Sequence, residues 1–144
     1  MNKVKQILRI KGSRVWKISK DATVLEAIQL MAEKGIGSVL IMDRNQVAGI
    51  FTERDFARKV GLVNTKPSDI KVGDVMSSNV VTVSPNDSVN LCMELMTEKC
   101  VRHLPVLDKD HLVGLVSIGD IVKDMIDELQ FMVKQLENYI TGFR

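Results

Sequence analysis

The sequence predicts a mixed α/β (α+β) fold in which one strand-helix-strand-strand-helix unit is used twice about a pseudo-twofold axis, flanked by a short N-terminal helix and a long C-terminal one. Three observations predict it. The chain matches itself without gaps at an offset of 65 residues, 15–58 against 80–123, with ten of the 44 pairs identical. Each copy carries a helical apolar period followed by two aliphatic runs of strand length. Hydrophobic residues make up 45% but aromatics only 4%, so the core is aliphatic.

Residues 1–14 read as an amphipathic helix (Val4, Ile7, Leu8) stopped by Gly12, and a linker. The first unit occupies 15–60. Ile18 ends a short extended segment, and Thr23 with Glu26 forms a capping box that opens a helix with Val24, Ala27, Ile28 and Met31 on one face, ended by Gly35. Ser38–Met42 and Val47–Phe51 follow as strands around the polar turn 43–46, and a helix starts at Thr52. A connector, 61–78, holds the Lys66-Pro67 turn and the stretch Val72–Met76. The second unit, 79–125, repeats the order, with Ser88 opening its helix and Val89, Cys92, Met93 and Met96 at the matching positions. Its strands are His103–Leu107 and Leu112–Val116, and Pro105, which has no N–H to donate, puts its strand at an edge or leaves its N–H side unpaired. Residues 126–144 extend the last helix, where Ile121, Val122, Met125, Leu129, Met132, Val133, Leu136 and Ile140 keep a 3/4 spacing that needs a partner: the N-terminal helix, or a second copy in a homodimer.

Composition removes several function classes. With 144 residues the chain holds one domain or two fused halves, and its longest aliphatic run, Val39–Met42, is far too short to span a membrane. The net charge of +2 gives no general reason for nucleic acid. Seven basic residues and no acid fall in 1–20, so a basic segment sits on an acidic body; this suits a solvated helix or a neighbouring anionic ligand better than a targeting peptide. Cys92 and Cys100 lie on one helix roughly 12 Å apart, too far to bridge. With His103 and His111 they lack the short cysteine spacing of zinc sites, so no metal is expected. A reducing space such as the cytoplasm suits such thiols.

The repeated tetrads Thr52-Glu-Arg-Asp55 and Ser117-Ile-Gly-Asp120 carry the chemistry, each where a strand becomes a helix. One reading is an N-cap with an acid at the third position. The other is a site where hydroxyl and N–H groups hold phosphate and the carboxylate accepts from ribose hydroxyls. Repetition does not decide between them, because a duplicated fold copies its caps with its sites.

The pair Gly49-Ile-Phe-Thr52-x-x-Asp55 and Gly114-Leu-Val-Ser117-x-x-Asp120, with Arg102-His-Leu-Pro-Val106, resembles a tandem CBS domain pair (Bateman module), over about residues 12–125. Residues 52–59 and the tail 136–142 further resemble the small stand-alone members of bacteria, mitochondria and plastids. The resemblance implies a regulatory, non-enzymatic module with an adenosyl ligand in the cleft between its halves: AMP, ADP, ATP or NAD, with S-adenosylmethionine behind them. It implies Asp55 and Asp120 on ribose, and Thr52 and Ser117 on phosphate. Adenine would lie against Lys17, Ile18, Thr82 and Val83 and the strand entries Gly37, Ser38, Val39, His103, Leu104 and Pro105. Arg54, Arg102 and His103 are phosphate candidates. Gly119 stands in the place of Arg54, and Pro85 and Pro105 in those of Lys20 and Leu40, so the two sites need not match.

The rivals differ in class. A nucleotide hydrolase or transferase lacks a P-loop and a nucleophile with a paired base. A scaffold without ligand, acting through dimerisation, needs the tetrads only as caps. Nucleic-acid binding through the basic N-terminus has Trp16 alone as a stacking candidate. Any regulated protein would be reached in trans.

Overall fold

The computed structural model describes residues 2–142. The elements are α1 (Val4–Lys11), β1 (Lys17–Ser19), α2 (Val24–Lys34), β2 (Ser38–Asp43), β3 (Gln46–Thr52), the single turn α3 (Glu53–Asp55), α4 (Val89–Lys99), β4 (His103–Asp108), β5 (His111–Ser117) and α5 (Ile118–Thr141). The helix expected from Thr52 is therefore one α-turn, which continues as a π-turn over Phe56–Val60. The chain forms two compact units. The second-repeat unit comprises Met1–Ser13, Val81–Leu107 and Gly114–Arg144, and the first-repeat unit comprises Arg14–Val80 and Asp108–Val113.

Each unit is thus assembled from segments that are not contiguous in sequence. In the first-repeat unit the connector is stitched to the repeat by three backbone bonds: Val24 N–H to Ile70 O (2.8 Å), Val72 N–H to Ala22 O (2.8 Å) and Gly73 N–H to Lys20 O (3.0 Å). In the second-repeat unit the N-terminal segment makes the same three: Val89 N–H to Asn2 O (3.0 Å), Val4 N–H to Asp87 O (2.9 Å) and Lys5 N–H to Pro85 O (2.9 Å). Val72 and Val4, which lead these segments, are fully buried. The segment preceding each repeat in the chain therefore packs on the other repeat.

In the first-repeat unit, β1 runs parallel to β2 and β2 antiparallel to β3, in the order β1-β2-β3. The core joins Val24, Ala27 and Met31 of α2 to Val39, Ile41 and Phe51 of the sheet, with Val60 and Val72, and each of these side chains larger than alanine contributes about 1.5–3 kcal/mol on burial. Trp16 packs against this core and carries the Lys34 ammonium 4.5 Å and the Arg14 guanidinium 5.6 Å from its ring centre.

In the second-repeat unit the counterpart of β1 is reduced to one parallel bridge, Val83 to Val106. The cause is the two prolines. In the first-repeat unit β1 is held at its ends by Leu40 N–H to Trp16 O and Lys20 N–H to Met42 O. The equivalent donors are Pro105 and Pro85, which have no N–H. Only the central pair survives, Val83 N–H to Pro105 O and Leu107 N–H to Val83 O. β4 and β5 form a two-stranded sheet, which leaves Pro105 on an edge. Ile7, Val89, Cys92, Met96, Leu104, Val116 and Ile121 are among this unit's buried apolar residues.

Candidate functional site

Both tetrads are complete capping boxes. Thr52 and Ser117 leave their strands in extended conformation (φ −122° and −105°), and each hydroxyl accepts from the N–H of the acid three residues on. Each acid returns the bond: Asp55 Oδ2 accepts from the Thr52 N–H (3.0 Å) and Asp120 Oδ2 from the Ser117 N–H (2.8 Å). The capping reading therefore holds for both, and what separates the two carboxylates is their remaining neighbours.

Asp55 is closed. It is 8% exposed; its Oδ2 also takes the Thr52 hydroxyl (3.2 Å), its Oδ1 takes the Ser77 hydroxyl (3.0 Å), and Lys59 Nζ stands 3.6 Å from Oδ1. Glu53 adds a second negative charge at the same turn, its N–H bonded to Gly37 O (3.1 Å). The helical segment behind it is short, one α-turn and one π-turn ending at Val60, against the 24 residues of α5.

Asp120 is open on one side. Its side chain is 23% exposed, Lys11 Nζ lies 2.6 Å from Oδ2, and Oδ1 accepts no hydrogen bond from the described residues. Lys11 also donates to Leu115 O (2.9 Å), which fixes the ammonium at the end of β5. Ile118 and Gly119 replace Glu53 and Arg54, and α5 extends 24 residues behind the box. Burial pushes the Asp120 carboxyl up, but the Lys11 ammonium and the Ser117 N–H and hydroxyl outweigh it and hold the group below the ordinary carboxylate range. Burial, together with Lys11 and Arg102, lowers the His103 imidazole below its ordinary value, against the pull of Asp120. His103 is thereby biased toward its neutral form.

The other expected residues fall in two groups. In the first-repeat unit, Ser38 lies opposite Thr52 in the β2–β3 register, which brings Gly37, Ser38, Thr52 and Asp55 to one end of the sheet. Val39 is fully buried opposite Phe51 and offers only backbone. Lys17 and Ile18 lie on β1 and line an open depression of about 610 Å³ with Ser19, Met42, Arg44 and His111, none of which belongs to the tetrad. Arg54 is exposed. In the second-repeat unit, Arg102 O accepts from the Ile118 N–H (2.9 Å), which sets Arg102 and His103 beside the Ser117–Asp120 box. Leu104, Pro105 and Val83 are buried, Thr82 and Gly119 exposed. Sequence reasoning missed Lys11, Ser77 and Lys59 as partners of the two acids. The acid-free basic N-terminus was a signal for Lys11; nothing in the sequence marked Ser77.

Cys92 is buried and Cys100 exposed, and burial, with the charge of Asp87, pushes the Cys92 thiol up to about 11, so it is inert. Among the described residues no group of His, Cys, Asp and Glu is placed to hold a metal ion, and no helix is long and apolar enough to cross a membrane.

The CBS domain family model matches residues 4–61 and 72–127. The chain is 35% identical over 136 residues to a mitochondrial CBS domain-containing protein of Arabidopsis thaliana, covering 91% of this chain and 66% of that protein. It is 46% identical to a CBS-domain protein of known structure from Burkholderia ambifaria, with a TM-score of 0.83 over 88% of this chain and 95% of the other. A hexameric CBS-CP12 protein from bloom-forming cyanobacteria is 28% identical, with a TM-score of 0.74 over 84% of this chain and 70% of that one.

Proposed function

We propose that this chain, which belongs to the CBS-domain family, is a regulatory module which binds an adenine nucleotide at the Ser117–Asp120 box and passes the signal to a second copy or to another protein in trans. Paired CBS domains are in general regulatory modules that bind adenosine ligands. AMP, ADP, ATP and NAD are the ligands this reading names. The observation that carries it is the pairing of an uncommitted carboxylate oxygen with cations. Asp120 Oδ1 is open to a ribose diol, while Lys11, Arg102 and the N-terminus of α5 offer positive charge to phosphate. The Thr52–Asp55 box, with its carboxylate bonded on both oxygens and Glu53 beside it, is read as a cap that binds a nucleotide weakly or not at all.

A ligand regulates only if it binds two conformations differently. Lys11 supplies such a difference. It belongs to α1, so a phosphate that draws the ammonium off Asp120 Oδ2 changes the hold of α1 on the start of α5. The test is calorimetric titration of the full chain with AMP, ATP, NAD and S-adenosylmethionine, repeated on Asp120→Asn. Binding of one nucleotide, weakened at least tenfold by the substitution, is expected. No binding by any of them would leave the tetrads as caps and favour a scaffold.

A further inference from the structure

The second half of α5 is exposed along its whole length. Ile121 is buried and Asp124 and Met125 are half-buried, but every residue from Leu129 to Gly142 is exposed. This stretch is not polar. Val122, Ile126, Leu129, Val133, Leu136 and Ile140 follow one another at spacings of four, three, four, three and four, and they are 41% to 71% exposed. That is an unbroken heptad seam, with Ile126, Val133 and Ile140 at one position and Val122, Leu129 and Leu136 at the other. At 3.6 residues per turn the seam is turned more than about 100° from the side that carries Ile121 and Asp124, and all six of its side chains are exposed.

We propose that α5 pairs antiparallel with α5 of a second copy of this chain, as a two-stranded coiled coil. A 3.5-residue repeat needs a helix of the same repeat as its partner, and a second copy supplies one. The pairing closes with twofold symmetry. Ile126 then meets the partner's Leu136, Val133 the partner's Leu129, and Val122 the partner's Ile140, with no polar group in any layer. Charge sets the direction. Lys123 and Glu137 flank the seam on the same side, seven residues either side of Gln130. The antiparallel arrangement puts Lys123 opposite the partner's Glu137 twice and Gln130 opposite the partner's Gln130. A parallel arrangement would face these groups with Met125, Met132 and Tyr139, which carry no charge to answer them.

The pairing goes beyond the nucleotide reading and does not depend on it, since it uses none of the residues of the Asp120 site. Sedimentation of the full chain measures it. The native chain is expected to be dimeric, and Val133→Glu monomeric at the same concentration with an unchanged fluorescence of Trp16, the single tryptophan, which packs on the first-repeat core. Lys123→Glu or Glu137→Lys alone should weaken the dimer about tenfold, and the two together should restore it. In a Cys100→Ser background Met132→Cys should cross-link two chains, because its position meets itself across the antiparallel axis, while Val133→Cys should not. A monomeric native chain, a dimer that persists in Val133→Glu, or charge reversals that do not rescue each other would overturn the proposal. Cross-linking through Val133→Cys in place of Met132→Cys would overturn its direction. Nucleotide titration of the Val133→Glu monomer keeps the two readings apart, since the Asp120 site remains intact there.

Discussion

Replacing each tetrad aspartate by asparagine separates a cap from a ligand site. Asp55 is 8% exposed and accepts from the Thr52 N–H, the Thr52 hydroxyl and the Ser77 hydroxyl. An asparagine there keeps one acceptor oxygen and turns an NH2 group toward at least one of those donors. One buried donor left without an acceptor costs about 1–3 kcal/mol. With roughly 3 °C of Tm per kcal/mol for a chain of this size, Asp55→Asn should lower Tm by about 6 °C. Asp120→Asn is different. Its carbonyl oxygen can keep the Ser117 N–H, and the loss falls on a Lys11 pair that is about one-third exposed and contributes about 0–1 kcal/mol. Its Tm should fall by about 3 °C or less. Affinity should move the opposite way. A charge-assisted bond to a ribose hydroxyl contributes about 1.5–3 kcal/mol, so Asp120→Asn should weaken nucleotide binding by at least tenfold, and Asp55→Asn by less than about threefold. Scanning calorimetry and titration calorimetry on the same two preparations give all four numbers. A tenfold loss of affinity in Asp55→Asn with Asp120→Asn unaffected would refute the reasoning, because it would mean that hydrogen bonds already made to a carboxylate do not predict its availability.

Four further substitutions test the fold around the sites. A Cβ at Gly49 would lie 2.7 Å from Ser77 O, a backbone atom, whereas one at Gly114 would meet only the flexible end of Leu8 at 2.7 Å; Gly49→Ala should therefore cost about 2–3 kcal/mol in a urea titration and Gly114→Ala about 1. Cys100 closes α4 with φ 54° where the first repeat has Gly35 at φ 64°. Left-handed backbone costs a residue with a side chain about 1–2 kcal/mol, less about 0.5–1 for the freedom glycine has in the unfolded chain, so Cys100→Gly should stabilise by about 0.5–1 kcal/mol. His103 has a lowered pKa, so below about pH 6.5 the unfolded chain binds a proton that the native one refuses. Stability should then fall as pH drops from 6.5 toward 5. His103→Gln should flatten that slope, and equal slopes in the two proteins would place the imidazole in an ordinary environment.

The repeat, the order of elements and most of the core were legible because they rest on local periodicity: Val24, Ala27 and Met31 of α2 and Val89, Cys92 and Met96 of α4 are buried as their spacing requires. Pro105 on an edge was legible for the same kind of reason, a missing donor. The loss of the first strand in the second repeat is not legible in this way, although Pro85 and Pro105 stand as departures from the first repeat. Its cause is a pairing register, in which each proline removes the N–H that one particular carbonyl needs. The tetrads were legible as positions, not as environments. Lys11 lies 109 residues from Asp120 and Ser77 lies 22 from Asp55, and no local pattern says which long-range neighbour a carboxylate acquires.

The two boxes differ because of the segments stitched beside them. Thr52-x-x-Asp55 and Ser117-x-x-Asp120 share their capping bonds, and each unit adds its outer segment through the same three backbone contacts. The segment on the first repeat, the connector, brings a hydroxyl, Ser77, which saturates a carboxylate oxygen without adding charge. The segment on the second repeat, α1, brings an ammonium, Lys11, which takes one oxygen, leaves the other open and adds a positive charge where phosphate would arrive. Duplication alone would have given two equal sites. Divergence in the stitched segments can turn one box into a cap and leave the other able to take a ligand with no change in either tetrad's first or last residue class. Exchanging the two outer groups by Lys11→Ser and Ser77→Lys should accordingly lower nucleotide affinity at Asp120 by about tenfold, from the loss of one charge-assisted contact. An affinity that stays put in that double variant would place the difference between the boxes in the tetrads themselves.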